Sequence, residues 1–247
     1  MKSYTTQLKM DIKRLIMRNP KFVIFDVGIP VAFYVLFTKV LNAGMPSSFD
    51  KSYMVNMAIY ATLLSSIVTV ANNILSDQEE KYLRFIDVSP ASRIVYYTSI
   101  GTALMILTLL EVLVIELVGY FYVGVSLPIS SLLWALVIVT IASIPLTVFG
   151  VLLAYTGSSS LVNLLVYLIV FPVAILSGLW WPLQMLPAWG QHIGKLLPTY
   201  QTSVIVNNVI QNQSFSMKPI IILLSWLIVG AFAIIGTQKI QKMRVSK

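Results

Sequence analysis

Residues 94–123 read IVYYTSIGTALMILTLLEVLVIELVGYFYV, a stretch in which Glu111 and Glu116 are the only charged side chains. About 20 apolar residues in a row suffice to carry a helix across the hydrocarbon of a bilayer, and this run exceeds that with room for tilt. The rest of the chain has the same character. Of its 247 residues 57% are apolar and 11% charged, against about 25% charged in a soluble domain. Too few polar side chains exist to cover a water-soluble globule, so the solvent is lipid.

Working outward from this run, five more apolar segments appear, at 22–41, 53–75, 131–155, 161–179 and 219–237. The expected fold is an all-α integral membrane protein of six transmembrane helices forming one domain over 1–247. Polar turns separate the segments at 42–52, 126–130 and 157–160. Residues 180–218 are too polar for a plain span, yet they contain Trp180, Trp181, Trp189, Pro182, Pro187 and Pro198. Indole rings favour headgroup depth and repeated prolines interrupt a long helix, which points to an external re-entrant helical hairpin between the fifth and sixth spans.

The net charge of +8 sits at the ends. Lys2, Lys9, Lys13, Arg14, Arg18 and Lys21 precede the first apolar run, and Lys239, Lys242, Arg244 and Lys247 follow the last. With the N-terminus inside, segments 1–21, 76–93 and 238–247 place 13 of the 17 Lys and Arg residues in the cytosol. The inverted topology reverses that ratio, so both termini are expected to be cytosolic in a multi-pass protein of the plasma membrane. This clustering marks membrane orientation and not a nucleic-acid face. A cleaved leader is not expected, because the first apolar run begins only at residue 22 and no small-x-small site follows it. Within 1–21, Tyr4, Leu8, Ile12 and Leu15 recur at helical spacing among basic residues. They form either an interfacial helix on the anionic leaflet or a flexible basic leader.

The chain has no cysteine and one histidine, His192. Thiolate sites and two-imidazole mechanisms are therefore excluded, and no catalytic, metal or cofactor site is expected. Glu79-Glu80-x-x-x-Arg84 matches a pattern of intramembrane prenyl-protein proteases, but that site needs later histidines, and His192 lies in the segment expected on the opposite face. No G-x-x-x-x-G-K-[ST] loop occurs, so ATP dependence would have to come from another chain.

Three acidic residues lie within spans. Asp26 is near the inner end of its helix, within reach of headgroups, and Glu116 is close enough to the outer end to reach water. Glu111 is the costly one. It lines a polar translocation path, pairs with Lys39, or faces a subunit contact or trapped water. On a regular helix Glu111 and Glu116 project about 140° apart, so they cannot face one narrow channel. Pro30, Pro145 and Pro172 interrupt spans, either as hinges or as ordinary kinks.

The internal segment 76–93 carries charge together with Tyr82, Phe85 and Ile86, which fall at i, i+3 and i+4 and form the apolar stripe of a short helix. Glu79, Glu80 and Arg84 supply the polar contacts around it. Such a helix is marginal alone and needs a partner groove.

Two motifs carry a resemblance. One is Phe171-Pro172-x-x-x-x-Ser177-Gly178-Leu179-Trp180-Trp181-Pro182-Leu183-x-Met185-Leu186-Pro187-x-Trp189, followed by Leu196-Leu197-Pro198-Thr199-Tyr200. The other is Glu79-Glu80-Lys81-Tyr82-Leu83-Arg84-Phe85 with Ser89-Pro90-Ala91-Ser92. Over nearly its whole length the chain resembles the type-2 ABC exporter permeases. That resemblance implies an elbow helix at 1–21 and a coupling loop at 76–93 that docks an ABC ATPase subunit holding the ATP and Mg. It also implies external re-entrant elements at 180–218, with Trp180, Trp181, Pro182, Pro187 and Trp189 as an outer gate. Lys81-Tyr82 stand where many relatives carry Gly-Thr. The implied assembly pairs this chain with a second copy or a relative, and the Pro-Leu-x-Met-Leu-Pro-x-Trp segment is closest to the drug and antimicrobial-peptide branch. Export of a hydrophobic or amphipathic substrate is the leading expectation. Polysaccharide or ion export by the same fold and a non-transporting sensor or scaffold remain as alternatives.

Overall fold

The computed structural model describes residues 2–17, 20–41, 46–88, 92–156, 159–211, 213 and 216–245. The side chains at 2, 3, 17, 20–23, 83, 84, 87, 93 and 238–245 lie outside that description. Among the described residues all regular structure is helical. The helices are α1 (Lys2–Ile12), α2 (Pro20–Val35), α3 (Ser47–Leu64), α4 (Val70–Glu79), α5 (Tyr82–Asp87), α6 (Arg93–Val118), α7 (Ile129–Ala142), α8 (Ile144–Ala154), α9 (Ser159–Leu176), α10 (Ala188–Gly194), α11 (Pro198–Ile210) and α12 (Lys218–Val245). Wider π turns extend α1, α2 and α6 at Lys13–Met17, Leu36–Val40 and Gly119–Val123, and a fourth, Ser65–Thr69, fuses α3 to α4.

Among the described residues five helices are long and apolar enough to cross a membrane: Ser47–Glu79, Ile94–Val123, Ile129–Ala154, Ser159–Leu176 and Lys218–Thr237. The first expected span, 22–41, is helical over Pro20–Val35 and Leu36–Val40 but is not among these five. Its α-helical part has 16 residues, includes Asp26, and begins with side chains outside the described set. The expected loop at 42–52 is shorter than composition implied, because helix α3 already starts at Ser47.

The hydrophobic faces arrange the helices around α3–α4. In an apolar 18-residue stretch of this segment 94% of the residues are buried, against 6% in such a stretch of Lys218–Thr237. The first is therefore the axis of the bundle, and α12 lies at its margin. One apolar cluster joins α3 to the inner faces of α2, α6, α7, α9 and α11 through residues such as Tyr60, Val112, Val139, Val166 and Val206. A second joins α1, α4, α5, α6 and α8 through Leu15, Ile74, Ile86, Tyr96 and Ala154. Helix α8 comes closest to the axis at Gly150, where a Cβ would run into the Ser66 backbone carbonyl. Small residues at such crossings allow backbones to meet, which is how helices gain packing energy in lipid.

The prolines have local roles. Pro145 follows the break at Ser143 that divides α7 from α8. Pro182, Pro187 and Pro198 each stand at or just before the start of a short helix, where a fixed φ and a missing N–H cost nothing. Gly178 ends α9 with a φ of +73°. Its amide bonds to the Ile175 carbonyl at 3.0 Å, and the Leu179 amide bonds to Ala174 at 3.1 Å. These two bonds make a Schellman stop, which explains the Ser177-Gly178-Leu179 segment of the longer motif.

Candidate functional site

Two ends of the bundle and its middle carry polar chemistry. At the first end, α1 lies across α6 and the end of α4. Its inward face is formed by Gln7, Asp11 and Leu15, all buried, while Lys9 and Lys13 face out. Tyr4 and Thr102 share a hydrogen bond of 2.8 Å between their hydroxyls. The flexible-leader alternative is thereby excluded for residues 2–17.

Arg14 does not belong to the solvated basic face on which its charge alone would place it. Its two terminal nitrogens donate to both Asp77 oxygens at 2.5 and 2.9 Å, and one also reaches Asp11 at 3.4 Å. The guanidinium lies over the Tyr82 ring, 4.8 Å from its centre. Asp77 also accepts from the Tyr96 hydroxyl at 2.5 Å. Asp11 accepts from Ser99 at 2.5 Å and from Gln7 at 3.1 and 3.2 Å, and Gln7 extends to the Tyr82 hydroxyl at 3.3 Å. Burial raises the Asp11 carboxyl above the ordinary range, opposed by its bonds to Ser99 and Gln7 and by Arg14. Burial alone would lower the Arg14 guanidinium, but Asp77 and Asp11 more than offset it and the net shift is upward. These contacts join α1, α4, α5 and α6 at one point.

Helix α5 hangs from this clamp. Its expected apolar stripe is divided. Ile86 is 2% exposed and packs inward beside Leu15 and Tyr96, and Tyr82 is half-buried on Arg14. Phe85 stacks on Tyr82 with ring centres 6.1 Å apart and is 62% exposed. Ile86 is thus corrected from a docking residue to an anchor, because the second apolar cluster already covers it. Val88, which the sequence reading passed over, is exposed beside Phe85. Glu80 accepts from Ser76 at 3.3 Å and Glu79 from Ser159 at 2.5 Å, so the turn is also tied to the start of α9. The Arg84 side chain lies outside the described residues, as do Ser89, Pro90 and Ala91. Ser92 caps α6, accepting from the Val95 amide at 3.3 Å.

The turn between α4 and α5 places Lys81 at a φ of +56°. A side chain in that left-handed region costs roughly 1–2 kcal/mol, and glycine avoids the penalty. Lys81→Gly is therefore expected to stabilise the folded protein by about 1 kcal/mol, seen as a raised melting temperature, with Lys81→Ala giving no gain.

In the middle of the bundle the three acidic residues all turn inward. Asp26 accepts from the Thr69 hydroxyl at 2.5 Å and is buried, so it does not reach headgroups. Glu111 is wholly buried and accepts from Ser65 at 2.8 Å. Its other oxygen, Oε1, has no hydrogen-bond partner. Lys39 is exposed and is not its partner, and no surface of Glu111 faces an open path in this conformation. Glu116 is likewise buried, in a small gap bounded by Met54 and Val206, and does not reach water. Because α6 is covered on one side by α2 and α3 and on another by α7, two side chains on different faces can both be enclosed.

At the other end, α11 packs on α3 and α10 on α9. Asn56 donates to the Gly178 carbonyl at 3.2 Å and accepts from Ser203 at 2.8 Å, and Ser52 donates to Asn207 at 3.1 Å. The Ser177 and Thr199 hydroxyls bond to each other. Trp180 sits in an aromatic cluster, edge-on to Phe33, Tyr60 and Phe171 at 5.4–5.7 Å. Trp181, Pro182, Pro187 and Trp189 are exposed. The five proposed gate residues therefore split into one partly buried wedge and four outward positions. Among the described residues no group of His, Asp and Glu has the arrangement of a metal site.

Several long apolar helices packed around a buried axis describe a polytopic membrane protein. The chain belongs to the ABC-2 type transporter family, whose model matches residues 6–210. It is 25% identical over 227 residues to YvfS of Bacillus subtilis (strain 168), provisionally named a transport permease, covering 88% of this chain and 89% of that one. No solved structure matches the chain. Membership makes this a membrane permease subunit of an ABC transporter, with an ABC ATPase as its partner in general terms.

Proposed function

We propose that the chain is the permease half of an ATP-driven exporter that moves a hydrophobic or amphipathic molecule, and that it receives the ATPase through Phe85 and the surrounding α4–α5 turn. The carrying observation is the division of α5. Tyr82 and Ile86 fix it to the bundle, while Phe85 is left bare on a helix held by the Arg14–Asp77 pair. A bare aromatic held in a fixed orientation is what a helix-in-groove contact requires. Glu79 and Glu80 stand exposed at the turn before it, and Arg84 precedes Phe85 in the chain. In this reading residues 1–21 and 76–93 face the cytosol, α2 completes six spans, and 180–218 caps the outer side with Trp180 as its wedge. A second copy or a relative completes the pathway, and Glu111 enters it only when the helices separate. ATP and Mg are handled by the ATPase.

Purification in mild detergent is expected to bring down a stoichiometric chain of about 25–35 kDa that carries a phosphate-binding loop. Cysteines introduced singly at Ser3 and Ser48, in a chain that has none of its own, test the orientation. Only Ser48→Cys is expected to react with an impermeant thiol reagent in intact cells. Absence of an ATPase together with labelling at Ser3 would overturn the assignment.

A further inference from the structure

One cavity is unrelated to the coupling end. It measures about 540 Å³ and lies between α7, α8, α11 and α12, with every lining residue apolar. Trp134, Ile141 and Leu224 on its rim are each more than half exposed, so it is an open groove and not an enclosed void. Its floor is where α7 breaks into α8, at Ala142, Ile144 and Pro145. All the helices that wall it except α11 belong to candidate membrane spans.

We propose that this groove binds one acyl chain of a membrane phospholipid as a fixed component of the subunit. Two observations select that occupant. The first is length. From Trp134 to Pro145 the groove follows about three turns of helix, roughly 16 Å at ~1.5 Å per residue, and one leaflet of hydrocarbon is about 15 Å deep. The second is the distribution of polarity. The groove has no polar wall, but Ser130, one turn before Trp134 on α7, and Gln213 and Ser216, in the segment that joins α11 to α12, are all exposed. Lys218 at the start of α12 is also exposed and has no carboxylate partner among the described residues. An apolar slot beneath a rim of hydroxyl, amide and ammonium groups matches a glycerophospholipid, tail below and phosphate above. In lipid no hydrophobic force closes such a slot, and its walls lose dispersion contacts unless something slender fills it.

The test is native mass spectrometry of the full chain with any bound ATPase, incubated in detergent with palmitoyl-oleoyl phosphatidylglycerol. Wild type is expected to keep one more lipid per chain than Ala142→Trp, which fills the floor, or Leu224→Trp, which blocks the rim, with retention reduced at least fivefold. If Ala142→Trp does not fold, the exposed Leu224 site carries the comparison. Ile228→Trp, on an exposed part of α12 outside the groove, is expected to retain wild-type lipid, and Lys218→Gln to lower the preference for phosphatidylglycerol over phosphatidylcholine. Equal retention in wild type and Leu224→Trp would overturn the proposal. So would disulfide-linked dimers of Leu224→Cys in native membranes, which would make the groove a contact between copies.

Discussion

Replacement of Arg14 by alanine is expected to be among the most destabilising single changes outside the apolar core. It would leave Asp77, with a side chain only 4% exposed, without its charge partner. The same change strips Asp11 of its nearest cation. Removal of one member of a buried ion pair costs about 3–5 kcal/mol, because the survivor stays desolvated. Arg14 is itself 22% exposed, so some water reaches the site and the lower end, about 3 kcal/mol, is the expectation. The apparent melting temperature in detergent should fall by roughly 6–12 °C. Leu15 gives a second readout, since it is fully covered in the docked helix. A Leu15→Cys thiol should be unreactive alone and reactive when combined with Arg14→Ala. Arg14→Lys should be intermediate, because it keeps charge without the two-pronged geometry. Replacing Arg14 and Asp77 together by leucine should recover much of the loss. An unchanged melting temperature in Arg14→Ala would mean that the ion pair holds nothing in place.

The second large effect concerns function and not stability. Phe85→Ala removes the exposed ring but leaves Tyr82 and Ile86 seated, so expression, insertion and melting temperature should match wild type. What should fall is capture of the ATPase, by about fivefold or more, since an apolar anchor at the centre of a contact costs more than about 1 kcal/mol when truncated and often 2 or more. Ile86→Ala is expected to behave in the opposite way, with a lowered melting temperature and an ATPase deficit only in proportion to lost folded protein. Normal ATPase recovery and export by Phe85→Ala would remove α5 as the docking point.

Much of the architecture is readable from hydropathy because lipid imposes it. A long apolar run has few options other than a helix. Gly178 and the prolines of 180–198 are readable for a similar reason, since each dictates a local backbone geometry. Side-chain partners across helices are not readable in this way. Arg14 looks like one more cation in a basic leader, and Asp77 like one more charge in a polar loop. They are 63 residues apart, and no periodicity links them. The interior carboxylates mislead for the same reason. Asp26 and Glu116 sit near the ends of their apolar runs, which implies access to headgroups or water. The packing of α2 and α6 instead turns them toward Thr69 and toward α3. One local hint did exist: Gln7 and Asp11, four apart on the face of α1 that continues to Leu15, make a polar stripe that a freely solvated helix would not need.

The α3–α4 axis has a mechanical consequence. Its 33 residues form one unbroken helix, about 50 Å long at ~1.5 Å per residue, which exceeds the ~30 Å of hydrocarbon it has to cross. One tip carries the Lys81 turn and the Arg14 clamp, and the other carries Asn56 and Ser52, which grip the Gly178 corner and α11. No loop interrupts the 50 Å between them, so a tilt applied at the first tip reaches the second as a rigid-body swing about the crossing with Gly150. There the neighbouring backbone is close enough to act as a fulcrum. The short helices at the two extremities are thereby attached to opposite arms of the same lever.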